Sequence, residues 1–145
     1  MPGTRPLSRP LIRGFITDTR PFVRVLISIP RSAAAVPVDM LLDTGSHLSV
    51  VSRDVFDGLG VDLSGLSTAR RIRAVGIGGS QDYLRVRLTM SFPTSSPEPH
   101  PLPVWVSVPI ATDIRADSII GMEALVNFRL TIAASEDRVE LEPLF

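Results

Sequence analysis

The sequence predicts an all-β domain with one or two short helices, and three observations carry that expectation. Apolar and polar residues alternate through Phe22-Val23-Arg24-Val25-Leu26-Ile27-Ser28-Ile29, the period of a strand with one buried face. The stretch Val36-Pro37-Val38-Asp39-Met40-Leu41-Leu42 ends instead in a continuous apolar run, as a strand covered on both faces would. Finally, Val75-Gly76-Ile77-Gly78-Gly79 separates two alternating arms, Arg71 to Ala74 and Tyr83 to Leu88, which read as a β-hairpin with a glycine-rich tip.

Taken in order, residues 1–13 are rich in Pro and Arg, lack any periodic pattern and read as a flexible tail, so the ordered domain is expected over 14–145. Phe15-Ile16-Thr17 and Phe22 to Ile29 form two strands separated near Asp18 to Pro21. The strand ending at Leu42 runs into Asp43-Thr44-Gly45-Ser46, a tight turn, after which Leu48-Ser49-Val50-Val51 resumes the apolar character. Ser52 is placed to cap a helix of one or two turns outside the sheets, stopped by Gly58 and Gly60. Pro93, Pro97, Pro99, Pro101 and Pro103 predict a loop, because each removes a ladder donor. A strand is expected to resume at Val104, with Trp105 as a packing residue. Ile119-Ile120-Gly121 reads as a short strand entering a helix that ends near Asn127. Phe128 to Ile132 and Val139 to Leu141 then close a hairpin around Glu136-Asp137.

Composition narrows the chemistry. A chain of 145 residues that is 44% hydrophobic can bury one core but is short for two lobes. With no cysteine, and only His47 and His100 to supply imidazole, neither a structural zinc nor Cys-His catalysis is expected, and no cofactor is. The 15 basic residues are all arginine and are balanced by 15 carboxylates, which argues against a nucleic-acid partner. No apolar run approaches a membrane span and the first residues lack an apolar signal core, so a cytoplasmic protein without membrane attachment is expected.

The chemistry centres on Asp43. A carboxylate at this turn belongs at the floor of a cleft, where Gly45 lets the backbone bend and offers its N–H, and where the Thr44 hydroxyl can lock the turn. Gly121 would let Ile119 and Ile120 pack against that loop without a Cβ in the way. In order and spacing, Asp43-Thr44-Gly45, Gly76-Ile77-Gly78-Gly79 and Ile119-Ile120-Gly121 resemble the retropepsin-like aspartic proteases over roughly residues 20 to 145.

The resemblance implies a closed β-barrel of the acid-protease type. Asp43 would be catalytic, Thr44, Gly45 and Ser46 its active-site turn, and Val75, Gly76, Ile77, Gly78 and Gly79 a substrate-covering flap. Ile119, Ile120 and Gly121 would form a supporting loop. Retroviral members carry an acidic residue and an arginine where this chain has His47 and Met122, so their bracing ion pair is missing here. Peptide hydrolysis by carboxylates needs two of them, whereas Asp113 and Asp117 lack a Thr-Gly turn and Asp18-Thr19-Arg20 lacks the glycine. A homodimer that pairs two copies of Asp43, acting on a peptide or protein substrate, is therefore expected. The alternative is a catalytically silent dimeric or peptide-binding module on the same fold. Arg71, Arg73, Arg85 and Arg87 are expected on the solvated outer face of the hairpin.

Overall fold

A computed structural model describes residues 9–30, 32–63, 70–76, 79–111 and 117–145. Among the described residues, ten strands and two short α-helices follow one another as β1 (Ile12–Arg13), β2 (Phe15–Thr17), β3 (Arg20–Ser28), β4 (Ala35–Leu42), α1 (Arg53–Gly58), β5 (Arg70–Gly76), β6 (Gly79–Phe92), β7 (His100–Pro109), β8 (Ile119–Ile120), α2 (Met122–Leu125), β9 (Phe128–Ala133) and β10 (Arg138–Pro143). The pairings form two sheets. The smaller runs β1-β10-β9; the larger runs β5-β6-β3-β4-β8, with β2 added on β3 and β7 on β6.

Period-two patterning puts one face of β3, β6 and β10 into a common core. On β3, Val23, Val25 and Ile27 are fully buried, while Arg24 points outward to an ion pair with Asp39 directly across on β4, Nε to Oδ1 at 2.7 Å. On β6, Val86, Leu88, Met90 and Phe92 face inward and are met by Val106 and Val108 of β7. The small sheet contributes Ile12, Val139 and Leu141 to the same cluster, and α1 adds Phe56. Ser52 precedes α1 in an extended conformation but makes no side-chain capping bond there. The helix is held by burial of Val55 and Phe56 rather than by its cap.

Two sequence expectations shift. Residues 9–13, assigned to the tail, already carry structure: Ile12 is fully buried and pairs with Leu141, and the Ser95 amide donates to Leu11 O at 2.9 Å. A two-residue strand is too short to show a period, so the sequence could not mark it. Strand β7 also begins at His100 rather than Val104, taking Pro101 and Pro103 into the ladder opposite Ser91 and Thr89. Parity explains the tolerance. Ser107 donates its N–H away from β6, to Ser49 O at 2.8 Å, so odd-numbered residues of β7 direct their backbone groups outward. Pro101 and Pro103 share that parity and remove donors only from the side that β6 does not use. Trp105, expected as a packing residue, packs on the outer face, 42% exposed with the Arg87 guanidinium 6.0 Å from its ring centroid.

Candidate active site

Strand β4 is paired on both sides, antiparallel to β3 and parallel to the short strand β8, with Leu41 beside Ile119 and Leu42 beside Ile120. Backbone bonds carry that pairing one residue beyond the strand, the Asp43 amide donating to Ile120 O at 3.0 Å. The carboxylate of Asp43 is thus fixed where the end of β4, anchored by buried Met40 and Leu42, meets the surface. Gly45 donates its N–H to Asp43 Oδ1 at 2.9 Å, and Ser46 N–H donates to Asp43 O at 3.2 Å. A Cβ at Gly45 would lie 3.3 Å from Asp43 Oδ1, crowding the oxygen that the turn exists to hold.

Gly121 answers a tighter constraint. A Cβ there would fall on the carbonyl of Leu48 and within 2.8 Å of Ser46 O. Closing that gap lets the start of α2 receive the loop after the aspartate: Met122 N–H donates to Ser46 O at 2.7 Å and Glu123 N–H to His47 O at 3.0 Å. Ser49, fully buried, anchors the far end of the loop with every polar group engaged. Its N–H donates to Glu123 Oε1 at 2.7 Å, its Oγ accepts Gly121 N–H at 3.0 Å, and its carbonyl accepts Ser107 N–H.

Above this floor, β5 and β6 form the hairpin, with Val75 opposite Ser80 and Gly76 opposite Gly79. Ile77 and Gly78, the expected flap tip, lie outside the described residues. An Arg73–Asp82 ion pair at 3.0 Å joins the two arms, and the Arg73 hydrogen bond and charge hold the Asp82 carboxyl below its ordinary value. Between floor and hairpin lies a cleft of about 710 Å³ lined by Asp43, Gly45 and Ser46 below and by Val75, Gly79 and Gln81 above. Asp43 is the one carboxylate among the described residues that line it.

A protein-family model described as aspartyl protease matches residues 32–124. The chain belongs to the aspartyl protease family. Its fold is retropepsin-like: the crystal structure of a retropepsin-like aspartic protease from Rickettsia conorii superposes with a TM-score of 0.61 at 15% identity, over 95% of this chain and 96% of that one. EIAV protease complexed with the inhibitor HBY-793 matches with a TM-score of 0.47 at 21% identity, over 77% of this chain and 92% of the other. No curated protein sequence matches the chain.

Within this aspartyl protease fold, the three expected motifs converge on one cleft: Asp43, Gly45 and Ser46 at its floor, Ile119 beside them, and Val75 and Gly79 in the hairpin. Ile120 is buried beneath and Gly121 receives the loop. Thr44 departs from expectation. It is exposed and its hydroxyl makes no hydrogen bond among the described residues, while the bond that locks the turn comes from Ser46 Oγ, donating to Leu48 O at 2.7 Å.

Arg85 departs further. Arg71, Arg73 and Arg87 are exposed as expected, but Arg85 retains only 16% of its side-chain exposure. It forks onto Glu123, Nη2 to Oε2 at 2.8 Å and Nη1 to Oε1 at 3.2 Å, and Nη1 also donates to Ser107 Oγ at 2.9 Å. Alternation along β6 points Arg85 and Arg87 to the same face, and only the packing of α2 over Arg85 distinguishes them. Sequence reasoning therefore missed Ser49, Arg85 and Glu123, and also Gln81 and Tyr83, which line the cleft.

Proposed function

We propose that the protein is an aspartic endopeptidase whose two catalytic carboxylates are Asp43 and its symmetry mate in a homodimer. The observation that carries this reading is the position of Asp43 at the cleft floor, held by Gly45 on one oxygen and without a second carboxylate among the described residues that line the cleft. An isologous interface at this turn would bring two copies together. The Thr44 hydroxyl, exposed and without a hydrogen bond among the described residues, could bond across the axis.

Two carboxylates that close cannot both ionise readily, a behaviour for which aspartic protease dyads are themselves the reference example. One, ionised, takes a proton from water as the water attacks the peptide carbonyl; the other, protonated, donates to the carbonyl oxygen or the leaving amine. The hairpin would hold the peptide through backbone hydrogen bonds, as an added strand, and apolar side chains would suit the Val75, Leu48 and Ile119 lining. A cytoplasmic peptide or protein is the substrate class we propose.

The test is cleavage of a diverse peptide mixture at pH 4 to 7 by wild type and Asp43→Asn across a range of protein concentrations. Activity lost in the variant and rising faster than linearly with protein concentration is the expected result. A wild-type dimer that cleaves nothing would favour the silent binding module instead.

A further inference from the structure

We propose that Arg85 and Glu123 are positioning residues that lock the catalytic turn and the base of the flap arm into one rigid unit. The proposal rests on the reading of Asp43 as catalytic.

Glu123 touches the loop after the aspartate twice, through its N–H on His47 O at 3.0 Å and through Oε1 on Ser49 N–H at 2.7 Å. Arg85 sits on β6, the strand whose beginning supplies Gly79, Gln81 and Tyr83 to the cleft. Their two-pronged contact therefore spans from the roof of the cleft to its floor. Arg85 closes a second path through Ser107, whose Oγ it holds and whose backbone N–H donates to Ser49 O. Both routes end on Ser49, six residues after Asp43 and fully buried.

The alternative, that the pair merely adds stability, accounts less well for the arrangement. A partly buried ion pair loses much of its attraction to desolvation and is often no better than an apolar pair of similar volume. Here the carboxylate does what an apolar side chain cannot: it satisfies a buried amide of the active-site loop while anchoring a guanidinium from the flap arm. A carboxylate dyad needs its turn held to a fraction of an ångström, and a displacement of about 1 Å can cost about a hundredfold in rate. Neither Arg85 nor Glu123 is among the residues that line the cleft, so the effect of the pair should appear in turnover rather than in binding.

The experiment compares Glu123→Gln, Arg85→Met and Arg85→Lys with wild type. Glu123→Gln keeps an oxygen for Ser49 N–H while removing the charge and the Oε2 acceptor of Arg85, so the loop amide stays satisfied, which guards against failure to fold. In peptide cleavage we expect kcat to fall about ten- to a hundredfold for Glu123→Gln and Arg85→Met, with KM changed by less than about threefold. Arg85→Lys should recover part of the loss, because an ammonium keeps the charge but not the two-pronged grip.

Amide hydrogen exchange, measured in an Asp43→Asn background that cannot digest itself, gives a readout independent of catalysis. Faster exchange confined to Ser49, Gly121 and Glu123, with the Leu88 and Val25 amides of the core strands unchanged, is the expected pattern. Unchanged kcat, or exchange accelerated equally in core and loop, would overturn the positioning role. If the wild-type dimer cleaves nothing, the endopeptidase reading fails by itself, and the exchange pattern alone decides whether the pair fixes the loop.

Discussion

At Gly121 a single missing Cβ decides how closely two loops approach. Gly121→Ala would press a methyl onto the Leu48 carbonyl, which is backbone and cannot swing away. Overpacking of this kind costs about 1–3 kcal/mol, so the urea midpoint should fall by a corresponding amount. An unchanged midpoint would mean that the loop relaxes freely. Ser49→Ala probes the same contact from the other side, leaving the buried Gly121 N–H without its acceptor at a cost of about 1–3 kcal/mol. The two losses should not add, since both report one contact, and a double variant measured by denaturation tests this. Residues such as Asp43, Gly45 and Gly121 are legible in sequence because a tight turn or close approach admits few residue types. Arg85 and Ser49 are not. An arginine alternating along a strand looks the same whether water faces it or a carboxylate 38 residues away.

Turns between elements show where local chemistry is strained. Strands β2 and β3 are joined through Asp18 and Thr19, with Thr17 opposite Arg20, and both linking residues have positive φ, 51° and 64°. Positive φ at both central positions marks a hairpin turn suited to Asn-Gly, and a β-branched threonine is poorly placed in it. Thr19→Gly should relieve roughly 1 kcal/mol of backbone strain, partly offset by the greater freedom of glycine in the unfolded chain. A Tm raised by a few degrees is the expected outcome; a lowered Tm would show that the threonine contributes something the backbone angles do not reveal. Strands β3, β4, β6, β9 and β10 were legible because each is long enough to display alternation or a continuous apolar run. The first four residues of β7 were not, because prolines normally signal a break. Only the pairing parity of β7, a tertiary property, makes Pro101 and Pro103 acceptable there.

For the whole molecule, acidity acts on the fold as well as on the proposed dyad. His100 opens β7 with its ring edge-on to Phe128, centroids 5.8 Å apart, and burial pushes its pKa below the ordinary value near 6.5. A depressed pKa means that the unfolded chain takes up the proton first. The stability associated with neutral His100 is therefore complete above about pH 6.5 and is lost as pH falls from there through the lower pKa of the folded state. Asp39 has the same sign over a more acidic window. The Arg24 hydrogen bond holds its carboxyl below 3.8, so its contribution is present above that value and lost as pH falls through the folded pKa. Because Asp39 and Arg24 are largely open to water, their share is small. An acid-active carboxylate enzyme built on this fold would thus gain protonated dyad while losing stability as pH falls below about 6.5, and His100 is the group that should set the loss. His100→Asn removes the titration. Its Tm at pH 7.5 should lie below that of wild type, since the Phe128 contact is gone, but the decline from pH 7.5 to pH 5 should be shallower. Parallel declines in a thermal series would show that His100 titrates alike in folded and unfolded chains, and would move the origin of any acid sensitivity to the carboxylates.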